Sequence, residues 1–267
     1  MRIHIVVDET AFFLPAYVRY VVETLPADIE IVGVTVLKNP ADIPTVYSHL
    51  RSHLSDIGLG SCLRLGWQAV GQMARVVAGL IGLSTRPGSV AGTIRRRGIP
   101  VRCVTGVNAP ETLYWIRLGA PDLVLSSCSQ IFRADLLAIP RVGSINRHSS
   151  LLPSYGGVLP IFQALSRGES RVGSSIHVMT EQVDGGTLVA QSGFAVTDDM
   201  TVYDCYERSY ADCGPLTIQA LERIRDLGPR RLEEADFGVT NNLEQSYFKM
   251  PTDEDWERFH RTHRRFC

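Results

Sequence analysis

The sequence predicts an α/β fold, a mainly parallel open sheet with helices on both faces, and three observations predict it. Short runs rich in Ile and Val recur at residues 3–7, 29–37, 101–104 and 123–126. Segments with helical spacing separate them, and two later runs, 174–179 and 187–196, read as strands near a sheet edge. Runs that are apolar throughout belong to strands covered on both faces. Their alternation with helical patterns implies crossover connections within one sheet, the Rossmann-like arrangement.

The first crossover is residues 12–25, where Val18, Val21, Val22 and Leu25 fall at helical spacing. Residues 41–90 read as an insertion into the helix layer. Within it, 62–83 is apolar, but Arg64, Gln68, Gln72 and Arg75 share one helical face opposite Leu63, Trp67, Val70, Ala74, Val77 and Ile81. A membrane-spanning helix would bury both arginines, so no integral membrane segment is expected. The helix is expected to pack on its own domain or on a second subunit, which makes a homodimer possible, with contact of its arginines with a membrane surface and lid-like closure over the acceptor as the alternatives. A second crossover follows Pro110, with Leu113, Ile116 and Leu118 before the stop at Gly119-Ala120-Pro121.

The two later strands make the sheet mixed. Thr201-Val202-Tyr203-Asp204 reads as a capping box opening a helix that kinks at Pro215. A last helix begins at Thr252, with acids in its first turn, arginines near its end, and Trp256 and Phe259 as anchors. The expected division is a main domain over 1–195 and a small C-terminal α/β extension, largely helical, over 196–267.

Composition narrows the function. The 267 residues are 45% hydrophobic, and 27 Lys and Arg oppose 28 Asp and Glu. No global field attracts a polyanion, so a nucleic-acid partner is not expected. The six cysteines form no C-x-x-C pair and meet no His cluster, so no metal is expected and reduced thiols of a cytoplasmic protein are. Residues 1–7 run straight into Asp8 and Glu9 without the apolar core of a secretion signal.

The informative stretch is 143–157, followed by 176–186. Asn146 and His148 alternate on an extended segment, so both side chains point to one face and can share one carbonyl oxygen. Asp184 precedes Gly185-Gly186 in a loop able to approach the imidazole closely. Singly, each residue has an ordinary structural reading: a turn cap, a core histidine, a turn residue. Together they read as a site. Residues 146–153 resemble the N-x-H-x-S-L-L-P signature of the folate-dependent formyltransferases, and His177 to Gly186 resembles that family's H-x-x-x-x-x-x-D-x-G loop.

The resemblance implies 10-formyltetrahydrofolate as formyl donor, no metal, and an amine acceptor. Formyl transfer puts negative charge on the carbonyl oxygen, so Asn146 and protonated His148 would be its donors. Asp184 would hold the proton on His148 and relay, through a water, the proton lost by the amine. The family's pterin pocket corresponds to Cys128, Ser129, Gln130, Ile131 and Phe132, with Ile131 and Phe132 covering the ring faces and Thr180 and Val183 closing the other side. Cys128 reads as a buried thiol rather than a nucleophile. The acceptor side would draw on Ser150, Tyr155, Gly156 and His177. Asp8 and Glu9 would bind the amine or simply shape the first turn.

Departures from the family set the acceptor. Glycinamide ribonucleotide formyltransferases have a glycine-rich phosphate turn after the first strand, whereas Asp8-Glu9-Thr10-Ala11-Phe12 has no glycine and repels phosphate. The basic residue that commonly follows the aromatic after L-L-P is replaced by Gly156. Methionyl-tRNA formyltransferases add a basic C-terminal domain, and the residues after 196 have no basic excess, so transfer RNA is a poor candidate. Residues 246–252 resemble the tail of nucleotide-sugar N-formyltransferases, whose tail aromatics help form the acceptor side. The expected reaction is N-formylation of a small primary amine, best an amino sugar on a nucleotide. The alternatives are 10-formyltetrahydrofolate hydrolysis and non-catalytic folate binding.

Overall fold

A computed structural model describes residues 1–10, 12–38, 52–80 and 88–267. Residues 41–51 and 81–87 of the expected insertion, with Ile81, lie outside the described residues, as does the side chain of Gln72.

The parallel half of the sheet comes from β1 (Arg2–Asp8), β2 (Glu30–Leu37), β3 (Val101–Val104), β4 (Leu123–Ser127) and β5 (Gly143–His148). After the short β6 (Gly156–Gly157), β7 (Arg171–Val178) and β8 (Leu188–Ala195) complete it in antiparallel sense. Strand order is β3-β2-β1-β4-β5-β7-β8, so the chain winds outward in opposite directions from the β1/β4 pair. Such a switch point opens a crevice at the carboxyl ends of the strands.

Alternation along β1 explains the layers. Ile3, Ile5 and Val7 point to one face, where they meet α1 (Leu14–Thr24), α4 (Val90–Arg96) and α8 (Val202–Asp226). Val6 points to the other, into a core with Leu113 and Ile116 of α5 (Pro110–Leu118) and Leu136 of α6 (Ala134–Leu137). His4 faces that side too, sharing a hydrogen bond with Thr35 at 2.9 Å and its edge with Trp115. Burial pushes its imidazole down to about 3, so it sits there neutral.

Cys213, Leu216, Ala220, Leu221 and Ile224 of α8 belong to the same core as Ile3 and Ile5. A boundary at 195 therefore does not divide two cores: α8 is the helix layer over β7 and β8. The helix starts at the Thr201/Asp204 capping box and continues past Pro215. The smaller extension comprises the chain beyond α8. Its strand β9 (Tyr247–Phe248) pairs with β6, and α9 (Asp253–Arg261) begins at a Thr252/Asp255 capping box. Trp256 and Phe259 of α9 bury against Phe162 and Leu165 of α7 (Pro160–Ser166).

The insertion contains α2 (Leu54–Ile57) and α3 (Leu59–Leu80). Among the described residues no helix is long and apolar enough to cross a membrane, and no group of three or more His, Cys, Asp or Glu could hold a metal ion.

Candidate active site

The carboxyl end of β5 carries Asn146 and His148 on one face, with Arg147 between them on the other, stacked over the Tyr210 ring at 3.5 Å. Antiparallel pairing sets His177 of β7 directly across from Asn146. The loop after β7 then returns Asp184 at a positive φ of 53°, with Oδ1 3.9 Å from His148 Nδ1 and 3.6 Å from His177 Nε2. Two histidines from different strands thus face one carboxylate. Its other oxygen accepts a 2.8 Å hydrogen bond from the Gly157 amide, which ties the loop to β6.

His177 orders the cluster. Its Nδ1 donates to the Val178 carbonyl at 3.0 Å, leaving Nε2 to accept from the Asn146 amide nitrogen at 3.3 Å. Burial pushes the His177 imidazole down to about 4, outweighing the Asp184 charge that pulls the other way, so the ring is the neutral acceptor this requires. The Asn146 amide is thereby oriented, with its second N–H proton uncommitted. Asn146 Oδ1 is buried without a hydrogen-bond partner. His148 Nε2 donates to the Tyr155 carbonyl at 3.1 Å while Nδ1 faces Asp184. Nε2 is thereby committed to the Tyr155 carbonyl, whereas Nδ1, 3.9 Å from the carboxylate, makes no hydrogen bond with it.

The tail completes this end of the sheet. Gly156 N donates to the Ser246 carbonyl and Val158 N to that of Phe248. Phe248 stacks on Tyr155 with centroids 5.5 Å apart, and Arg167 lies over the Phe248 ring at 4.1 Å while pairing with Asp255 at 2.9 Å. A Cβ on Gly156 would meet both Tyr247 and Asp184, so the half-exposed Tyr247 ring borders Asp184. Sequence reasoning misses Tyr247. The tail likeness is its only signal, because the parallel β6/β9 pairing spans about ninety residues of chain.

Several expected contacts fall elsewhere. The Phe132 ring is 3% exposed in the core with Val6 and Leu136, so it covers no ligand face. Cys128 is held by Ser126 and the Gln130 carbonyl, and burial drives its thiol up to about 12, no nucleophile. Both ends of the Gln130 amide are committed, to Val107 N and the Thr105 carbonyl, while Ile131 stands exposed and Ser129 N donates to Asp8. Thr180 donates to the Gln182 carbonyl, and Val183 is exposed beside Asp184.

On the acceptor side, the Glu9 carboxylate accepts from Val90 N and Ala91 N at the start of α4, so it shapes the first turn instead of waiting for an amine. Burial raises Asp8 to about 6. Ser150 is buried, its carbonyl accepting from Ser175, and is out of an acceptor's reach. The Tyr155 hydroxyl is engaged by Glu169.

The formyl transferase family model matches residues 107–220, which contain Asn146, His148, His177 and Asp184. A methionyl-tRNA formyltransferase of Rhodopirellula baltica is 38% identical over 136 residues, covering 49% of this chain and 41% of that protein. The chain spans about half the length, or less, of the first such relatives it matches. In fold it is similar to glycinamide ribonucleotide transformylase 1 of Symbiobacterium toebii, with TM-score 0.59 at 18% identity, covering 88% of this chain and 94% of that one. It is also similar to an N-formyltransferase of Helicobacter canadensis solved with folinic acid and dTDP-3-aminofucose, with TM-score 0.56 at 16% identity, covering 98% and 80%. That match holds the whole cluster around Asp184, so residues 107–220 of the chain are similar to the formyl transferase family in both sequence and fold.

Proposed function

We propose that this chain transfers the formyl group of 10-formyltetrahydrofolate to a primary amine of a small substrate, with an amino sugar carried on a nucleotide as the acceptor class. The observation that carries the reading is the approach of His148 and His177 to Asp184, with Asn146 hydrogen-bonded to His177. The cluster fits a formyl donor because the Asn146 amide, bonded to His177 through one N–H, keeps a second N–H able to donate to the formyl oxygen.

The donor, when bound, supplies an electrophilic formyl carbon. Asn146 Nδ2 and a His148 N–H are the groups able to donate to the formyl oxygen as charge grows on it, and one such donor is worth on the order of a hundred-fold in rate. His177, neutral and fixed by Val178, holds the Asn146 amide the right way round. Asp184 steadies the His148 ring and accepts the amine proton through a water. The exposed Ile131, the backbone of Cys128 to Gln130, and Thr180 with Val183 are the proposed donor pocket. The acceptor amine would approach past Tyr247 and Gly156.

Two things support the acceptor class: the fit of 98% of the chain onto an N-formyltransferase fold whose own complex holds dTDP-3-aminofucose, and the tail that brings Tyr247 to Asp184. Incubating the purified chain with 10-formyltetrahydrofolate and a panel of amino-sugar nucleotides tests it. Formamide product with concurrent release of tetrahydrofolate is expected. Equally rapid tetrahydrofolate and formate release without any amine would make the chain a hydrolase instead.

A further inference from the structure

Helix α3 turns a mixed side inward and leaves Arg64 and Arg75 exposed. Toward its own chain it presents Ser61, whose hydroxyl bonds both the carbonyl and the amide of Cys267, together with the half-buried Cys62, Leu65 and Gln68. Toward solvent it presents Leu59, Leu63, Trp67, Val70, Met73 and Val77, with Trp67 79% exposed and the least exposed, Val77, at 48%. A contiguous apolar stripe of this size on a globular surface marks an interaction site.

Three observations choose the occupant. Residues 63, 67, 70, 74 and 77 are spaced alternately by four and three, the seam by which one helix packs along another. The stripe offers on the order of 800 Å² from each copy, counting about 200 Å² for its tryptophan, which is what one partner contributes to a stable interface. Between 59 and 80 the only charges are Arg64 and Arg75, and both act on groups of their own chain, Cys267 and Tyr203. A helix that lies on a membrane surface carries a strongly basic polar face, and this one does not.

The stripe is also graded. Leu59, Leu63 and Trp67 make its first half bulky, while Val70, Ala74 and Val77 make the second half mostly small. Reversal about its midpoint sets large against small. We propose that α3 is the interface of a homodimer in which the helices of two copies pack antiparallel about a two-fold axis near Val70, an isologous contact.

Sedimentation velocity on the full chain over about a hundred-fold range of concentration should give the dimer mass, falling to half for Trp67→Glu and Val70→Glu with unchanged circular dichroism. Both side chains are exposed in the single chain, so neither change should impair folding. Val70→Cys should form an interchain disulfide on oxidation, because it meets its own copy, whereas Leu59→Cys should not. A wild-type chain that stays monomeric overturns the proposal, as does a dimer that survives both glutamates. Equal cross-linking at 59 and 70 overturns the antiparallel arrangement. A monomer that binds anionic phospholipid vesicles through Trp67 would assign the stripe to lipid and overturn it as well.

Discussion

Asp184 is fixed from three sides, and the consequences of altering it can be separated. Asp184→Asn keeps the size and an acceptor for the Gly157 amide but loses the anion beside His148 and the proton relay. Turnover should fall at least about a hundred-fold while donor affinity, read by fluorescence titration, changes little. Equal turnover would remove Asp184 from the mechanism. Asp8 makes a second prediction at this scale. Its carboxyl sits near 6 in the fold against 3.8 in an open chain, so the folded state holds the proton longer and stability falls as pH rises from about 4 to about 6. Asp8→Asn removes that loss and retains an acceptor for Ser129 N. It should be more stable than wild type at pH 7, by at most about 2–3 kcal/mol, and no different at pH 4, as denaturant titrations at the two pH values would read. The histidines act in the opposite sense. His4 and His177 sit at about 3 and 4, below 6.5, so the stability they contribute is present above 6.5 and is lost as pH falls.

The elements that hold the site are short, and their fit is steric. Gly157 has φ +91°, and a Cβ there would lie 2.0 Å from the Phe248 carbonyl oxygen. Gly157→Ala should therefore part β6 from β9 and carry Tyr247 away from Asp184. The expected result is a raised KM for the amine with a smaller change in donor binding, and unchanged kinetics would show that the tail is dispensable. The cap of α9 gives a milder test. Thr252→Ala removes one side of a capping box and should cost about 1 kcal/mol, visible as a lower Tm. These elements were unequally legible. The strands β1 to β4, the two crossover helices, the Thr201/Asp204 capping box and the helix start at Thr252 follow from local periodicity and cap chemistry. The β6/β9 pairing does not, since two-residue strands have no pattern of their own and gain their order from partners far along the chain.

For the whole molecule, the terminal extension is part of the chain's architecture through the Phe162, Trp256 and Phe259 cluster, and the Arg167–Asp255 pair locks it to α7. Arg167→Met should leave the main sheet intact but loosen α9 and the Phe248 stack, so hydrogen exchange should rise across 246–261 and not in β1 to β5. By itself the sequence determined the mainly parallel sheet, because fully apolar strands alternate with amphipathic helices. It also determined the pairing of Asn146 with His148 on one face, because strand periodicity is two. Asp184 was legible as a candidate through its spacing and its glycines. Only the tertiary structure decided that Phe132 is core and that Glu9 caps a helix some eighty residues away. It likewise showed that His177 orients Asn146 and that α3 turns its apolar side outward. A residue's spacing reveals which of its neighbours share a face. The surroundings of that face depend on contacts between distant segments, and those exist only once the chain has closed on itself.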